Sequence, residues 1–294
     1  MALFFAVIFL RRKSMKKNVY RTNTILKQVS KMANCSTNVI IEDNTKIKVG
    51  IDLGTSSIVL VVVDESDHPV FVASEDASVV TDGLVVHFME AISIVKHLKN
   101  KAENQLQRPV TLAAGAVPPG TVGNNKKIIE NVIHGAGMEV TEIFDEPTAA
   151  AAVLNIQDGA VVDIGGGTTG ISIFNNGKVA YSGDEATGGT HMTLVLAGHY
   201  GLTLEEGEIL KRDSTKYDEN FLIMQPVAEK MASITKKFLN DYGKKVKTIH
   251  LVGGMMMYPQ FTRIFKVVTQ LQVIQADHPK YVTPLGIALK STAF

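Results

Sequence analysis

Two glycine-containing turns, each led by an aspartate at the end of an apolar run, constrain this chain more than any other feature. The first reads Val49-Gly50-Ile51-Asp52-Leu53-Gly54-Thr55-Ser56, and the second reads Val161-Val162-Asp163-Ile164-Gly165-Gly166-Gly167-Thr168-Thr169. The two aspartates stand 111 residues apart. Strand-like runs flank each turn: Lys46–Leu53 and Ile58–Val63 around the first, Ala160–Ile164 and Gly170–Phe174 around the second. Each set predicts a hairpin. Three successive glycines weaken a strand end unless a ligand or another backbone must come close. Gly54 permits a tight turn, and Thr55, Ser56, Thr168 and Thr169 supply amides and hydroxyls that donate to phosphate oxygens. Two such loops predict a grip on a polyphosphate from both sides. Asp52 and Asp163 are the expected metal residues, placing a Mg²⁺ ion, which prefers oxygen ligands and keeps part of its water shell.

The rest of the chain repeats one plan. After the first hairpin, His68–Ala73 predicts a third strand. Apolar residues at Phe88, Ala91, Ile92, Val95, Leu98, Ala102 and Leu106 predict a helix over Val86–Gln107. Val110–Val117 reads as a buried strand stopped by Pro118-Pro119, and Asn124–Ala136 as a second helix. After the second hairpin, helices are expected at Thr190–Tyr200, Glu205–Arg212, Phe221–Tyr242, Gln260–Thr269 and Pro284–Ser291, with a strand at Lys247–Val252 ending on Gly253-Gly254. The recurrence predicts a duplicated α/β fold, residues 46–157 forming the first half and 158–294 the second.

Residues 1–45 are expected to be a basic extension outside the fold, unstructured or not translated in the cell. The first 31 residues hold eight lysines and arginines and no acid, while the remainder carries seven more acidic than basic residues. That body is not expected to bind nucleic acid, which calls for a basic face. The apolar run Met1–Leu10 is about half as long as a membrane-spanning helix, so no integral span is expected. Translation from Met15 or Met32 is the reading preferred for this head, with a membrane-surface anchor as its alternative. Cys35 is the sole cysteine; an internal disulfide is therefore impossible, which fits a reducing cytoplasmic setting.

With these loops in view, the chain from about Lys46 onward resembles the actin/Hsp70/sugar-kinase superfamily of ATPases. Asp52–Ser56 and Asp163–Thr169 match its two phosphate motifs, and Glu146-Pro147-Thr148-Ala149-Ala150-Ala151 its first connecting motif. Leu251-Val252-Gly253-Gly254 matches its adenosine motif, and His278-Pro279 through Ala288 its second connecting motif. The resemblance implies an actin-like ATPase fold, two ribonuclease H-like halves with a nucleotide cleft between them, binding ATP or ADP with Mg²⁺. It places Gly188, Gly189 and Thr190 at a helix start near the phosphates, a natural anion site. Glu208 and Lys211 would flank adenine and ribose; the plain reading of these two is a solvated i,i+3 ion pair. Glu146 would orient a water, and Thr168 would touch the terminal phosphate.

Asp82-Gly83-Leu84-Val85-Val86, Ala116 to Thr121, Asp184 to His191 and Val282 to Ala288 are further similar to the EutJ family of ethanolamine-utilisation proteins. That resemblance implies a chaperone-like role toward a protein client, such as ethanolamine ammonia-lyase or microcompartment proteins, in the cytoplasm or at a bacterial microcompartment. Two departures from Hsp70 count: no Hsp70-type peptide-binding domain is expected after Phe294, and at the site Gly170 stands where Hsp70 carries an acid while the segment that supplies Hsp70's catalytic lysine is shortened or missing between Ala73 and Phe88. ATP hydrolysis is accordingly less firmly implied than binding. The rival functions are an actin-like filament protein, a small-molecule kinase and a non-hydrolysing structural adaptor.

Overall fold

The computed structural model describes residues 22–33, 39, 41–42, 44–81, 83–121 and 123–294. The apolar run at 1–10, Met15 and Cys35 lie outside the described residues.

The first half is a five-stranded sheet. Strand β1 (Ile47–Leu53) runs antiparallel to β2 (Ser57–Asp64), which pairs antiparallel with β3 (Pro69–Asp76). A small hairpin of β4 (Val80–Thr81) and β5 (Leu84–Val85) leads to helix α2 (Phe88–Leu106). Strand β6 (Leu112–Val117) then adds parallel to β1, helix α3 (Asn124–Gly135) crosses back, and β7 (Glu139–Asp145) adds parallel to β6. The resulting order is β3-β2-β1-β6-β7. Strand β2 is apolar at every position from Ile58 to Val63 because both its faces are covered. Ile58, Leu60 and Val62 meet the cluster that includes Ala91, Val95 and Leu98 of α2, while Val59, Val61 and Val63 face the opposite side.

Helix α4 (Glu146–Leu154) links this half to the next. Strands β8 (Gly159–Ile164), β9 (Thr169–Asn175) and β10 (Lys178–Glu185) repeat the antiparallel meander. Helices α5 (Gly189–Tyr200), α6 (Leu204–Arg212) and α7 (Tyr217–Tyr242) follow, then β11 (Thr248–Val252), α8 (Gln260–Thr269) and β12 (Gln272–Gln275). The order β10-β9-β8-β11-β12 is the first sheet's order repeated. Five strands are not anticipated from sequence: β4 and β5 are two residues each, and β7, β10 and β12 are edge strands whose residues are largely half-exposed, so they lack an apolar run to announce them.

The closing helix α9 (Val282–Lys290) belongs to the second half in sequence but packs on β1 and α4 of the first, while α4 packs on β8 and β9 of the second. The two halves thus exchange helices. Contact between α4 and α9 depends on Gly286, where a Cβ would stand 1.9 Å from the Ala149 carbonyl oxygen.

Residues 22–33 correct the expectation of an unstructured extension. They form a helix, α1, with Leu26 and Val29 fully buried among Val59, Val61 and Val63 of β2 and apolar residues of α4 and α9. The Thr22 hydroxyl donates to the Val153 carbonyl at 3.1 Å. An alternation of basic and apolar residues hid this face, since the lysines of α1 point to water while Leu26 and Val29 point inward.

Candidate functional site

Matching strands in the two halves end at a shared cleft of about 640 Å³. Asp52 is the second-last residue of β1 and Asp163 the second-last of β8, so the duplicated plan brings the two aspartate-led turns face to face. The turns touch: a Cβ at Gly166 would lie 2.5 Å from Ser56 Oγ and 3.0 Å from Thr55 Cβ, so only a glycine lets the loops approach this closely. Asp52, Gly54, Thr55 and Ser56 line the cleft from the first half, and Asp163, Gly165, Gly166, Gly167 and Thr168 from the second.

Glu146 enters the same space because of how α4 begins. Asp145 accepts from the Thr148 amide at 2.9 Å as an N-terminal cap, with Pro147 in the first turn. The adjoining Glu146 is thereby aimed into the cleft. Burial, with Asp163, Asp52 and further carboxylates nearby, holds its carboxyl well above the usual range. Burial and Asp163 raise Asp52 to about 7, with Lys280 opposing them. Asp163, 6% exposed, is raised by burial to about 6 although the Thr283 hydroxyl donates to its Oδ2. Asp163 is buried while Asp52 and Glu146 are half-buried, and together they make a floor of carboxylates with too little positive charge of its own. Among the described residues, no three His, Cys, Asp or Glu side chains converge as direct ligands of one metal ion.

The cleft's other wall carries Glu208, Lys211, Arg212 and Tyr217 of the second half, with Gly253 and Gly254 after β11. The plain alternative for these two, a solvated ion pair, does not hold for Lys211, which is 2% exposed. Its ammonium donates to Glu208 Oε2 at 2.6 Å, Thr193 Oγ1 at 2.7 Å and the Gly189 carbonyl at 3.0 Å, which uses all three of its hydrogens. Burial pushes the Lys211 ammonium down and Glu208 draws it back. Burial likewise pushes Glu208 up, and Lys211 with its neighbours more than offsets it. Lys211 therefore fixes Glu208 in place rather than offering a free charge.

Four anticipated residues stand behind the cleft instead of lining it. Gly189 N donates to the Gly165 carbonyl at 2.9 Å, and Thr190 donates to the Gly166 carbonyl through its amide at 2.7 Å and its hydroxyl at 2.9 Å. Gly188 packs directly on Gly167. Thr169 is fully buried, its hydroxyl donating to the Thr187 carbonyl at 2.6 Å. The start of α5 thus props the second glycine loop, since those loop carbonyls need donors that the open turn cannot provide.

Sequence reasoning missed Arg212, Lys280, Thr283 and Asp184. Arg212 spans the cleft: it meets Glu208 Oε1 at 2.9 Å in its own helix and Asp76 Oδ2 at 3.1 Å on β3 of the opposite half. Nothing local signals a pairing between residues so far apart in sequence. Asp184 lies beside Gly170 on the neighbouring strand, where burial raises its carboxyl to about 6 and the nearby Thr168 hydroxyl offsets part of the rise.

Twin sheets of one strand order, joined by exchanged helices around such a cleft, make this an actin-like ATPase fold. Family models agree at that level: that of MreB/Mbl protein matches residues 75–199, and that of type IV pilus assembly protein PilM matches 156–283. MreB5 of Spiroplasma citri, solved bound to AMPPNP, shares the fold at a TM-score of 0.65 and 15% identity, over 84% of this chain and 95% of its own. Much nearer is the ethanolamine utilization protein EutJ of Carboxydothermus hydrogenoformans. Its crystal structure matches at a TM-score of 0.85 and 43% identity, over 92% of this chain and 99% of its own. EutJ of Salmonella typhimurium strain LT2 is 42% identical over 83% of this chain and 86% of its own length. The chain belongs to the EutJ family.

Proposed function

We propose that the protein binds ATP together with Mg²⁺ in the cleft, and that the bound nucleotide sets how far the halves close and so how tightly a protein partner is held. One observation carries this reading: both glycine turns and the carboxylates of Asp52, Glu146 and Asp163 face a single cleft whose walls come from both halves. Its size suits a nucleotide, as ligand clefts run to about 300–1,000 Å³.

The residues fit the cation. Asp52, Asp163 and Glu146 carry more negative charge than the nearby Lys280 offsets, which their raised carboxyls express. A Mg²⁺ ion, which dehydrates reluctantly, would be held by them through its waters. When bound, the ion would neutralise charge on the phosphates. Gly54, Thr55 and Ser56 on one side, and Gly165 to Thr168 on the other, would donate to the phosphate oxygens. Glu208, held by Lys211, and the glycines at 253 and 254 would receive the ribose and adenine.

The partner is a protein of ethanolamine utilisation, as the names of the EutJ relatives support. Ethanolamine ammonia-lyase or a microcompartment protein is the client this reading favours, with the protein acting as a chaperone in the cytoplasm or at a microcompartment. Among the described residues no helix is long and apolar enough to cross a membrane.

Thermal unfolding titrated separately with Mg-ATP and Mg-ADP, then repeated with Asp163→Ala, tests the proposal. A ligand that binds only the folded state raises stability by about 2.7 kcal/mol at a hundredfold excess over Kd. A saturable rise that the substitution abolishes is expected. No rise with either nucleotide would leave a structural adaptor without a nucleotide role.

A further inference from the structure

Among the described residues, three cationic side chains line the cleft: Lys211, Arg212 and Lys280. Two of them are committed. Lys211 directs its three hydrogens to Glu208, Thr193 and Gly189. Arg212 directs Nε to Glu208, Nη1 to Asp76 and Nη2 toward the Ser56 carbonyl at 3.5 Å. Lys280 makes no ion pair or hydrogen bond among the described residues, and its Nζ stands 5.9 Å from the ring centroid of Tyr281. Its side chain is exposed in the open cleft, so a ligand entering there can reach it.

Lys280 belongs to a single 3-10 turn, Pro279–Tyr281, between β12 and α9. That turn is held from three sides. His278 enters it with a left-handed backbone, φ 46°, which few non-glycine residues adopt, and its carbonyl accepts from the Tyr281 amide at 3.0 Å. The Pro279 carbonyl accepts from the amide of Gly253, the first glycine after β11, at 3.2 Å. Tyr281 itself is buried. The Lys280 side chain therefore leaves from a braced base.

Its place between the walls decides what it can meet. The turn is bonded to Gly253 of the second half, while the Lys280 ammonium acts electrostatically on Asp52 and Asp76 of the first. Asp52 leads the first glycine turn, and Asp76 pairs in register with Ser57 at the far end of that turn. Lys280 thus lies between the glycines that would receive the nucleoside and the carboxylates that would hold the cation. In a nucleotide, the inner phosphates join those two ends.

We propose that Lys280 is a further nucleotide-binding residue, its ammonium donating to the inner phosphates that ATP and ADP share. The inference rests on the nucleotide reading above and names the cation that the chain itself supplies to the phosphates. A polyphosphate brought against Asp52, Glu146 and Asp163 sets like charges side by side. A lysine with unused hydrogens offsets that repulsion as a compact point charge.

The test measures the affinities of the full chain, of Lys280→Met and of Lys280→Arg for Mg-ATP and Mg-ADP by titration calorimetry, with the melting temperature of each unliganded protein. Methionine keeps much of the stem without the charge, and arginine keeps the charge. Hydrogen bonds to charged groups contribute factors of roughly ten to a hundred. The methionine variant should therefore lose about tenfold or more in affinity for both nucleotides, the two losses agreeing within about threefold. Arginine should restore most of that loss, and both unliganded variants should melt within about 3 °C of the original. Unchanged affinities in the methionine variant would overturn the proposal. So would a loss confined to ATP, which would put the contact on the terminal phosphate, or a loss that arginine does not restore. A loss accompanied by a larger drop in melting temperature would overturn it too, marking the lysine as structural. Failure of the unaltered protein to bind either nucleotide would overturn the nucleotide reading itself, and this inference with it.

Discussion

Replacing Asp52 by asparagine should make the unliganded protein more stable at alkaline pH while weakening its response to Mg-nucleotide. The reason lies in the proton balance of the cleft. Burial, then Asp163, raise the Asp52 carboxyl from its ordinary 3.8 to about 7. The folded protein therefore keeps a proton that the unfolded chain has already released, and stability falls as pH rises from about 4 to about 7. Above that window the full penalty is present. A rise from 3.8 to about 7 corresponds to roughly 4 kcal/mol. This is an upper bound, because Asp163 and Glu146 draw on the same protons and titrate with Asp52 as a set. Asparagine keeps the shape without the charge, so a gain of roughly 1–3 kcal/mol is expected at pH 8, shrinking toward zero near pH 4. Urea unfolding at several pH values, without divalent cations, measures it by linear extrapolation. A variant no more stable than the original at pH 8 would refute the reasoning, since the carboxylate would then be compensated in the empty cleft.

Two further substitutions probe the frame around the site. Gly286→Ala places a methyl group within 1.9 Å of the Ala149 oxygen; overpacking of this kind should cost about 2 kcal/mol or more in urea unfolding, and unchanged stability would show that α4 and α9 can separate freely. Leu26→Ala empties a fully buried position under α1; a loss of about 2–4 kcal/mol is expected, read as a lower melting temperature, and a melting temperature equal to the original would mean that α1 is not docked on the folded body.

Legibility in the sequence followed from how local each signal was. The two aspartate-led turns could be read because glycine runs, short hydroxyl residues and flanking β-branched runs all lie within about ten residues of one another. Central strands such as β2 and β8, covered on both faces, spelled themselves out as continuous apolar runs. Edge strands β7, β10 and β12 carried no such run, and α1 showed basic residues more loudly than its two buried ones. Asp184 went unread for the same reason as β10: its meaning comes from the register that sets it against Gly170, and register is a property of the paired strands.

By itself, then, the sequence determined the duplicated α/β plan and the two aspartate-led glycine turns, because each is written in contiguous residues. Only the tertiary structure decided what those parts do to one another. It set the glycine turns in contact at Gly166 and turned the amides of Gly189 and Thr190 toward loop carbonyls. It buried Lys211 as the support of Glu208, drew Arg212 across to Asp76, and exchanged α4 and α9 between the halves. Each of these joins residues distant in the chain, and such contacts form only when burial of the two cores brings the halves together.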